Sequence, residues 1–268
     1  MKRKVIDQFF DTHPVFSLEE AEEYLALPSG RKGTIERIKY YLDSGKLKGI
    51  VRGVYAVVPP GVASEDFSPD PFLVAVATRP DCVFAYHSAL ELLGAAHSTW
   101  NSYTVFVDSY RREIQLDNSR IKFLSHPKIL YTNKALKIGT LKTERQGKWL
   151  VTTGEERTLV EGFRNPQYIG GLEELLQSTS GFSILDLDLL EKILRAYDTL
   201  KLYSAVGWFL EIFQKSFHVP ENYLSALEKH KPSSPLYLIR SHRGGQLNER
   251  WNLIIPDEFL SLAENHAA

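Results

Sequence analysis

Seven cationic side chains crowd one short stretch of this sequence: Arg31, Lys32, Arg37, Lys39, Lys46, Lys48 and Arg52. Only Glu36 and Asp43 oppose them between Ser29 and Val57. The chemistry open to such a run is the binding of polyanions. Each Lys or Arg that neutralises a phosphate releases condensed counterions, and arginine can also pair bidentately with guanine. The whole chain carries 32 Lys and Arg against 33 Asp and Glu, so the positive charge is a local feature balanced elsewhere.

Other side chains invite a catalytic reading and do not sustain it. Glu155, Glu156 and Glu161 do not share one helix face at their spacing. They read as acids at a helix N-terminus, where the macrodipole favours them, plus one solvated glutamate. Arg157 and Thr158 read as residues that hold this helix to a sheet through hydrogen bonds. Asp186 and Asp188 in "ILDLDLL" read as helix caps. His87 and Ser88 are adjacent, but a Ser/His pair needs an orienting group and an oxyanion hole, and the sequence signals neither. The eight histidines show no H-x-x-x-H or H-E-x-x-H spacing. "RGG" in "SHRGGQ" and "GG" in "IGGLEE" are too short for a phosphate loop. The single cysteine, Cys82, excludes an internal disulfide and a multi-cysteine metal site, and its apolar strand marks it as buried and inert. No catalytic residue, no metal and no cofactor is therefore expected. One enzyme class stays open, a metal-dependent nuclease using Glu144 and Lys148 in "TLKTERQGKWLVT", although the two fall on either side of a turn.

The cationic run needs elements to position it. Residues 1–10 read as a short helix. In "FSLEEAEEYLALPSG", Ser17 and Glu20 have capping-box spacing. Leu18, Ala21 and Leu25 share a helical face, and Pro28-Ser29-Gly30 ends the helix. A second helix is expected from about Thr34 to Ser44, burying Ile35, Ile38 and Leu42. Two β-prone runs follow, "LKGIV" and "VYAVV", joined at Arg52-Gly53 and closed by Pro59-Pro60-Gly61. Helix, helix, turn, helix and two-stranded wing is the order of a winged helix-turn-helix. On that fold the N-terminal residues of the recognition helix, Arg31, Lys32, Thr34 and Arg37, reach base edges. Gly33, Arg37, Tyr40 and Ser44 face outward, opposite the buried stripe, with Lys32 and Lys39 flanking them. Lys46, Lys48 and Arg52 on the wing are placed to hold phosphates. Glu19, Glu20, Glu22 and Glu23 on the preceding helix are expected to face away from DNA or to sit at the helix N-terminus, where the macrodipole favours them.

Beyond the connector "VASEDFSPDP" the pattern changes. "PFLVAVAT" reads as a helix, "CVFA" as a strand and "YHSALELLG" as a helix. "YTVFV", "REIQL", "RIKFL", "GTLKT" and "KWLVT" read as strands. From Gly154 the chain turns helical, through "EERTLVEGF", "GGLEELLQS", "LDLLEKILRAY", "LYSAVGWFLEIFQ" and "ENYLSALEKH". Two late strands, "PLYLIR" and "WNLIIP", precede a final short helix. The fold class is α+β: a winged helix-turn-helix over residues 1–62, then a larger mixed α/β region over 70–268 with a helical C-terminal part. No run of about 18 uncharged apolar residues is present, so no membrane span is expected. The N-terminus lacks the apolar region of a signal peptide, and a cytoplasmic location is expected.

Five segments resemble the AbiEi-type antitoxins of type IV toxin–antitoxin systems. "GKLKGIVRGVYAVVPPG" is similar to their wing, and "DPFLVAVATRPDCVFAYHSALELLG" to the segment after it. "VTTGEERTLVEGF" followed by "GGLEELLQS" resembles the hallmark of their second domain. "AVGWFLE" and "ERWNLIIP" resemble their C-terminal part. The match runs in order over nearly the whole chain. The sequence differs at Glu161, where an aspartate is usual, and in "LPSGRKG", a longer turn. The resemblance implies a cytoplasmic repressor that binds inverted repeats in double-stranded DNA at its own promoter. It also implies that the C-terminal part counteracts a nucleotidyltransferase-type toxin without a stable complex. A stand-alone winged-helix regulator with no toxin is the alternative that sequence leaves open.

Overall fold

The structure, a computed structural model, describes residues 5–239 and 244–260. Arg240 of "PLYLIR", Arg243 of the "RGG" run and the end of the expected last helix lie outside the described residues. The first elements are α1 (Val5–Thr12), β1 (Val15–Ser17), α2 (Leu18–Leu25), α3 (Gly30–Asp43), β2 (Leu47–Val51) and β3 (Val54–Val57). Next come α4 (Pro71–Thr78), β4 (Val83–Phe84), α5 (His87–Leu92), β5 (Ser102–Val107), β6 (Ile114–Gln115) and β7 (Arg120–Ser125). Then follow α6 (Lys128–Thr132), β8 (Thr140–Arg145), β9 (Lys148–Thr153), α7 (Glu155–Arg164), α8 (Gly171–Ser178) and α9 (Leu187–Tyr197). Last are α10 (Leu200–Ile212), α11 (Glu221–Glu228), β10 (Leu236–Tyr237), β11 (Gln246–Asn248) and β12 (Leu253–Ile255), then a 3-10 turn at Asp257–Phe259. The fold is α+β, as the sequence implied.

Two compact units divide the chain. The first holds the described residues up to Ser88, Thr99–His126 and Leu141–Thr152. The second holds Ala89–Ser98, Pro127–Thr140 and the described residues from Thr153 onward.

In the first unit, α1, α2 and α3 close on a small sheet of order β1-β3-β2, all antiparallel. Their shared core contains Ile6, Phe9, Phe10, Phe16, Ile38 and Tyr41. The Ser17–Glu20 capping box forms as its spacing predicts. The Glu20 N–H donates to Ser17 Oγ at 3.1 Å and the Ser17 N–H donates to Glu20 Oε2 at 2.8 Å. Gly53, at φ +80°, turns the β2–β3 hairpin, and its carbonyl accepts the Leu18 N–H at 2.8 Å. Strand β1 escaped the sequence reading because three residues directly before a helix cap carry no legible period.

The helix α3 corrects two expectations. It begins at Gly30 rather than Thr34, and its buried residues are Thr34, Ile38 and Tyr41. Ile35, assigned to the core, is 46% exposed. The reason is Tyr41, whose ring packs edge-on against Phe10 at 5.1 Å and turns the helix toward α1. Leu42 is only partly buried. Gly33 is required where α3 leaves the turn, because a Cβ there would lie 2.8 Å from Ser29 Cβ.

The larger sheet of this unit has the order β6-β7-β5-β4-β9-β8, and all six strands answer to predicted ones. β5 runs parallel to β7, and β4 parallel to β9. The sequence boundary at residues 62–70 falls inside this unit. Arg145 reaches Asp70 at 2.6 Å from the β8–β9 turn, and α4 packs on β1 and β3.

In the second unit α7 is the central helix, buried from Glu156 to Phe163. It packs against α8, α9 and α10. A three-stranded sheet, β10-β12-β11, completes this unit. No helix among the described residues is long and apolar enough to cross a membrane.

Candidate nucleic-acid interface

The nine residues assigned to DNA contact separate into three groups. Lys32, Arg37, Lys39, Tyr40 and Arg52 face solvent, Tyr40 at 66% exposure. None of the four cations among them makes an ion pair among the described residues. Arg37 and Tyr40 line a surface concavity of about 670 Å³ together with Leu27, Pro28, Ser29 and Gly33. This is the face on which α3 leaves the α2–α3 turn.

Arg31, Lys46 and Lys48 are already engaged. The Arg31 guanidinium donates to Glu22 Oε2 at 2.9 Å and to Glu19 Oε1 at 3.0 Å. That bond holds the Glu19 carboxyl below the usual carboxylate range and raises Arg31. Glu19 and Glu20 sit in the first turn of α2, one of the two placements expected, while Glu19 and Glu22 turn toward Arg31 of α3. Lys46 lies 3.7 Å from Asp7 and 5.5 Å from the Tyr41 ring centroid. Lys48 is a larger correction. Its ammonium donates to the Phe67 carbonyl at 2.7 Å and to Asp117 Oδ2 at 2.9 Å. It ties strand β2 to two loops of the first unit instead of waiting for a phosphate.

Thr34 drops out. It is fully buried, and its hydroxyl donates to the Gly30 carbonyl one turn back at 3.3 Å. A side chain on the packed face of α3 cannot reach a base edge.

Tertiary structure also supplies partners that no local pattern announces. Lys148 bonds Glu20 from 128 positions away, and Asp117 meets Lys48 from 69. Burial pushes the Glu20 pKa up, but the Lys148 bond and the Ser17 N–H outweigh it and Glu20 ends below its usual value.

Pairing makes Arg31 a reporter. Neutralising both glutamates, as Glu19→Gln/Glu22→Gln, should free its guanidinium. If this face binds duplex DNA, the reading proposed below, binding should then tighten, and the slope of log K against log salt should steepen by about 0.9, the contribution of one further phosphate contact. Fluorescence anisotropy across a salt series measures this. The gain should vanish when Arg31→Ala is added; a gain that persists would be bulk charge alone.

The residues considered for catalysis make the following contacts. Glu155 accepts from the Ser183 N–H and hydroxyl, and Glu156 accepts the Asp186 N–H at 2.8 Å. Glu161 is fully buried, not solvated, and pairs with buried Arg157 at 2.9 Å. Thr158 bonds Thr153 hydroxyl to hydroxyl at 2.7 Å, the strand-to-helix tie expected of it. Asp186 caps α9 by accepting the Leu189 N–H at 2.9 Å. Ser88 Oγ accepts the Thr104 N–H at 2.7 Å, and the His87 ring stacks on Trp100 at 5.0 Å. Glu144 accepts the Gly147 N–H within its own turn. Cys82 is buried, which pushes its thiol up to about 12. Among the described residues, no group of three or more His, Cys, Asp or Glu side chains could hold a metal ion.

No family model matches the sequence, and no curated protein does. Among solved structures, the crystal structure of the RV2827C protein from Mycobacterium tuberculosis is similar, with a TM-score of 0.61 at 15% identity. The alignment covers 97% of this chain and 92% of that one. At that identity the likeness concerns the fold alone.

Proposed function

We propose that the N-terminal segment is a winged helix-turn-helix that binds duplex DNA, and that the chain is a cytoplasmic repressor of its own operon. The observation that carries this reading is the division of its cations. Lys32, Arg37 and Lys39 on α3 and Arg52 on the wing turn keep their charges in solvent, while Arg31 and Lys48 are paired. Free charge is thus left on the helix and the hairpin tip that this fold presents to a groove and its flanking phosphates. The resemblance to type IV antitoxins adds a second task. The C-terminal region, 70–268, counteracts a nucleotidyltransferase-type toxin without forming a stable complex with it.

The test uses the DNA upstream of the protein's own reading frame, searched for inverted repeats and titrated by anisotropy. Arg37→Ala is expected to cost about 1–3 kcal/mol on the specific site and to relax specificity at one position. Arg52→Ala should weaken binding to all sequences and flatten the salt slope. Unchanged binding by both variants would remove the assigned face. Antitoxicity is read separately, by growth rescue against the toxin encoded beside this chain. Absence of a nucleotidyltransferase-type neighbour would favour the stand-alone regulator.

A further inference from the structure

Strand β8 ends the six-stranded sheet, with β9 on one side and no strand on the other among the described residues. The turn between β8 and β9 is Gln146-Gly147, with φ of 50° and 79°. Two positive φ values mark the two-residue type I′ hairpin, which closes on Arg145 and Lys148. Alternation then follows. Arg145 and Thr143 turn their main-chain groups to β9, and Lys142 and Glu144 turn theirs outward. An edge of this kind is a template for another strand, and prolines, bulges and charged side chains blunt it against indiscriminate pairing. "TLKTER" has no proline or glycine, and its outward positions carry opposite charges on either side of Thr143.

That arrangement is complementary to itself. Set a second copy of β8 antiparallel with Thr143 on the two-fold axis. Lys142 then falls opposite Glu144 of the second copy, twice, and both positions are hydrogen-bonded pairs. Moving the axis by one residue sets Lys142 against Lys142 or Glu144 against Glu144, which is unfavourable. Charge therefore selects one register. Leu141 and Trp149 stay exposed beside this edge, Trp149 at 67% and in the same cross-strand row as Glu144. We propose that β8 is a self-association edge through which two copies of this chain form a two-fold dimer. Such a dimer carries two α3 helices related by a two-fold axis, the symmetry of an inverted repeat. The proposal stands without that reading, because its test uses no DNA.

Sedimentation of the full chain from about 1 µM to about 300 µM spans the weak affinities of small edge interfaces. Wild type is expected to pass from monomer to dimer within that range. Lys142→Glu and Glu144→Lys should each weaken the dimer about tenfold or more, since each places like charges opposite at two sites. The double variant Lys142→Glu/Glu144→Lys restores the opposition and should restore the dimer. Circular dichroism confirms that each variant folds. The proposal is overturned by a monomer at the highest concentration, by a dimer indifferent to the single changes, or by a double variant that fails to recover.

Discussion

Replacing Glu161 with alanine should cost about 3–5 kcal/mol of stability, the effect of breaking a buried ion pair by removing one partner. Both side chains are fully buried. Arg157 Nη1 also donates to the Leu136 carbonyl at 2.7 Å and the Ile138 carbonyl at 3.0 Å. The Tyr197 hydroxyl donates to the same Glu161 oxygen that Arg157 Nε uses. Burial, the largest influence, would lower the Arg157 pKa, but the charge and hydrogen bond of Glu161 together with Tyr197 outweigh it, and Arg157 ends above its usual value. Without the carboxylate, a charged guanidinium is left in the interior facing neutral groups such as the Leu136 and Ile138 carbonyls and the Tyr197 hydroxyl. Urea unfolding followed through the buried Trp208 and Trp251 measures the loss. Replacing both partners by apolar side chains, as Arg157→Met/Glu161→Leu, should recover most of it, because neither charge then needs compensation. A cost below about 1 kcal/mol for Glu161→Ala, the range of an exposed pair, would show that the pair is open to water.

Trp251→Ala is the other large effect expected, at about 3–5 kcal/mol. The indole is fully buried against Gly207 of α10, and its Nε1–H donates to Glu211 Oε2 at 2.7 Å. Arg250 bonds the other Glu211 oxygen at 2.8 Å. Gly207 is small because the ring is there: a Cβ would lie 2.2, 2.4 and 2.5 Å from three ring carbons. Gly207→Ala alone should therefore cost about 1–3 kcal/mol by overpacking. The two changes share one space, so they should not add. With the ring removed, the extra methyl group is expected to be nearly free. Thermal denaturation of the two single variants and the double variant checks this. Equal costs for Gly207→Ala in both backgrounds would mean that the ring does not occupy this seat.

The sequence segments "AVGWFLE" and "ERWNLIIP" are thus two halves of one packing unit, with Gly207 and Glu211 in the first and Arg250 and Trp251 in the second. Each was legible as a separate segment. Their meeting was not, because a glycine inside a helix and a tryptophan beside a strand carry no mark of one another.

What the sequence determined by itself is local. The Ser17–Glu20 cap, the Arg52-Gly53 and Gln146-Gly147 turns, the Asp186 cap and the six strands of the larger sheet all follow from residues within a few positions of each other. Backbone conformation and short-range hydrogen bonds decide them. The concentration of cations between Ser29 and Val57 is likewise a property of the sequence. Which of those cations stay in solvent was decided by the tertiary structure. Tyr41 packs on Phe10 and rotates α3, which buries Thr34 and exposes Ile35. Asp117 takes Lys48, and Glu19 and Glu22 take Arg31. Burial works the same way at Glu161: its spacing from Glu155 and Glu156 led to its reading as a solvated glutamate, whereas folding buries it with Arg157 and Tyr197 around it. Helical period tells which residues share a face, but the side that becomes interior, and the charges that meet there, depend on contacts made from distant positions in the chain.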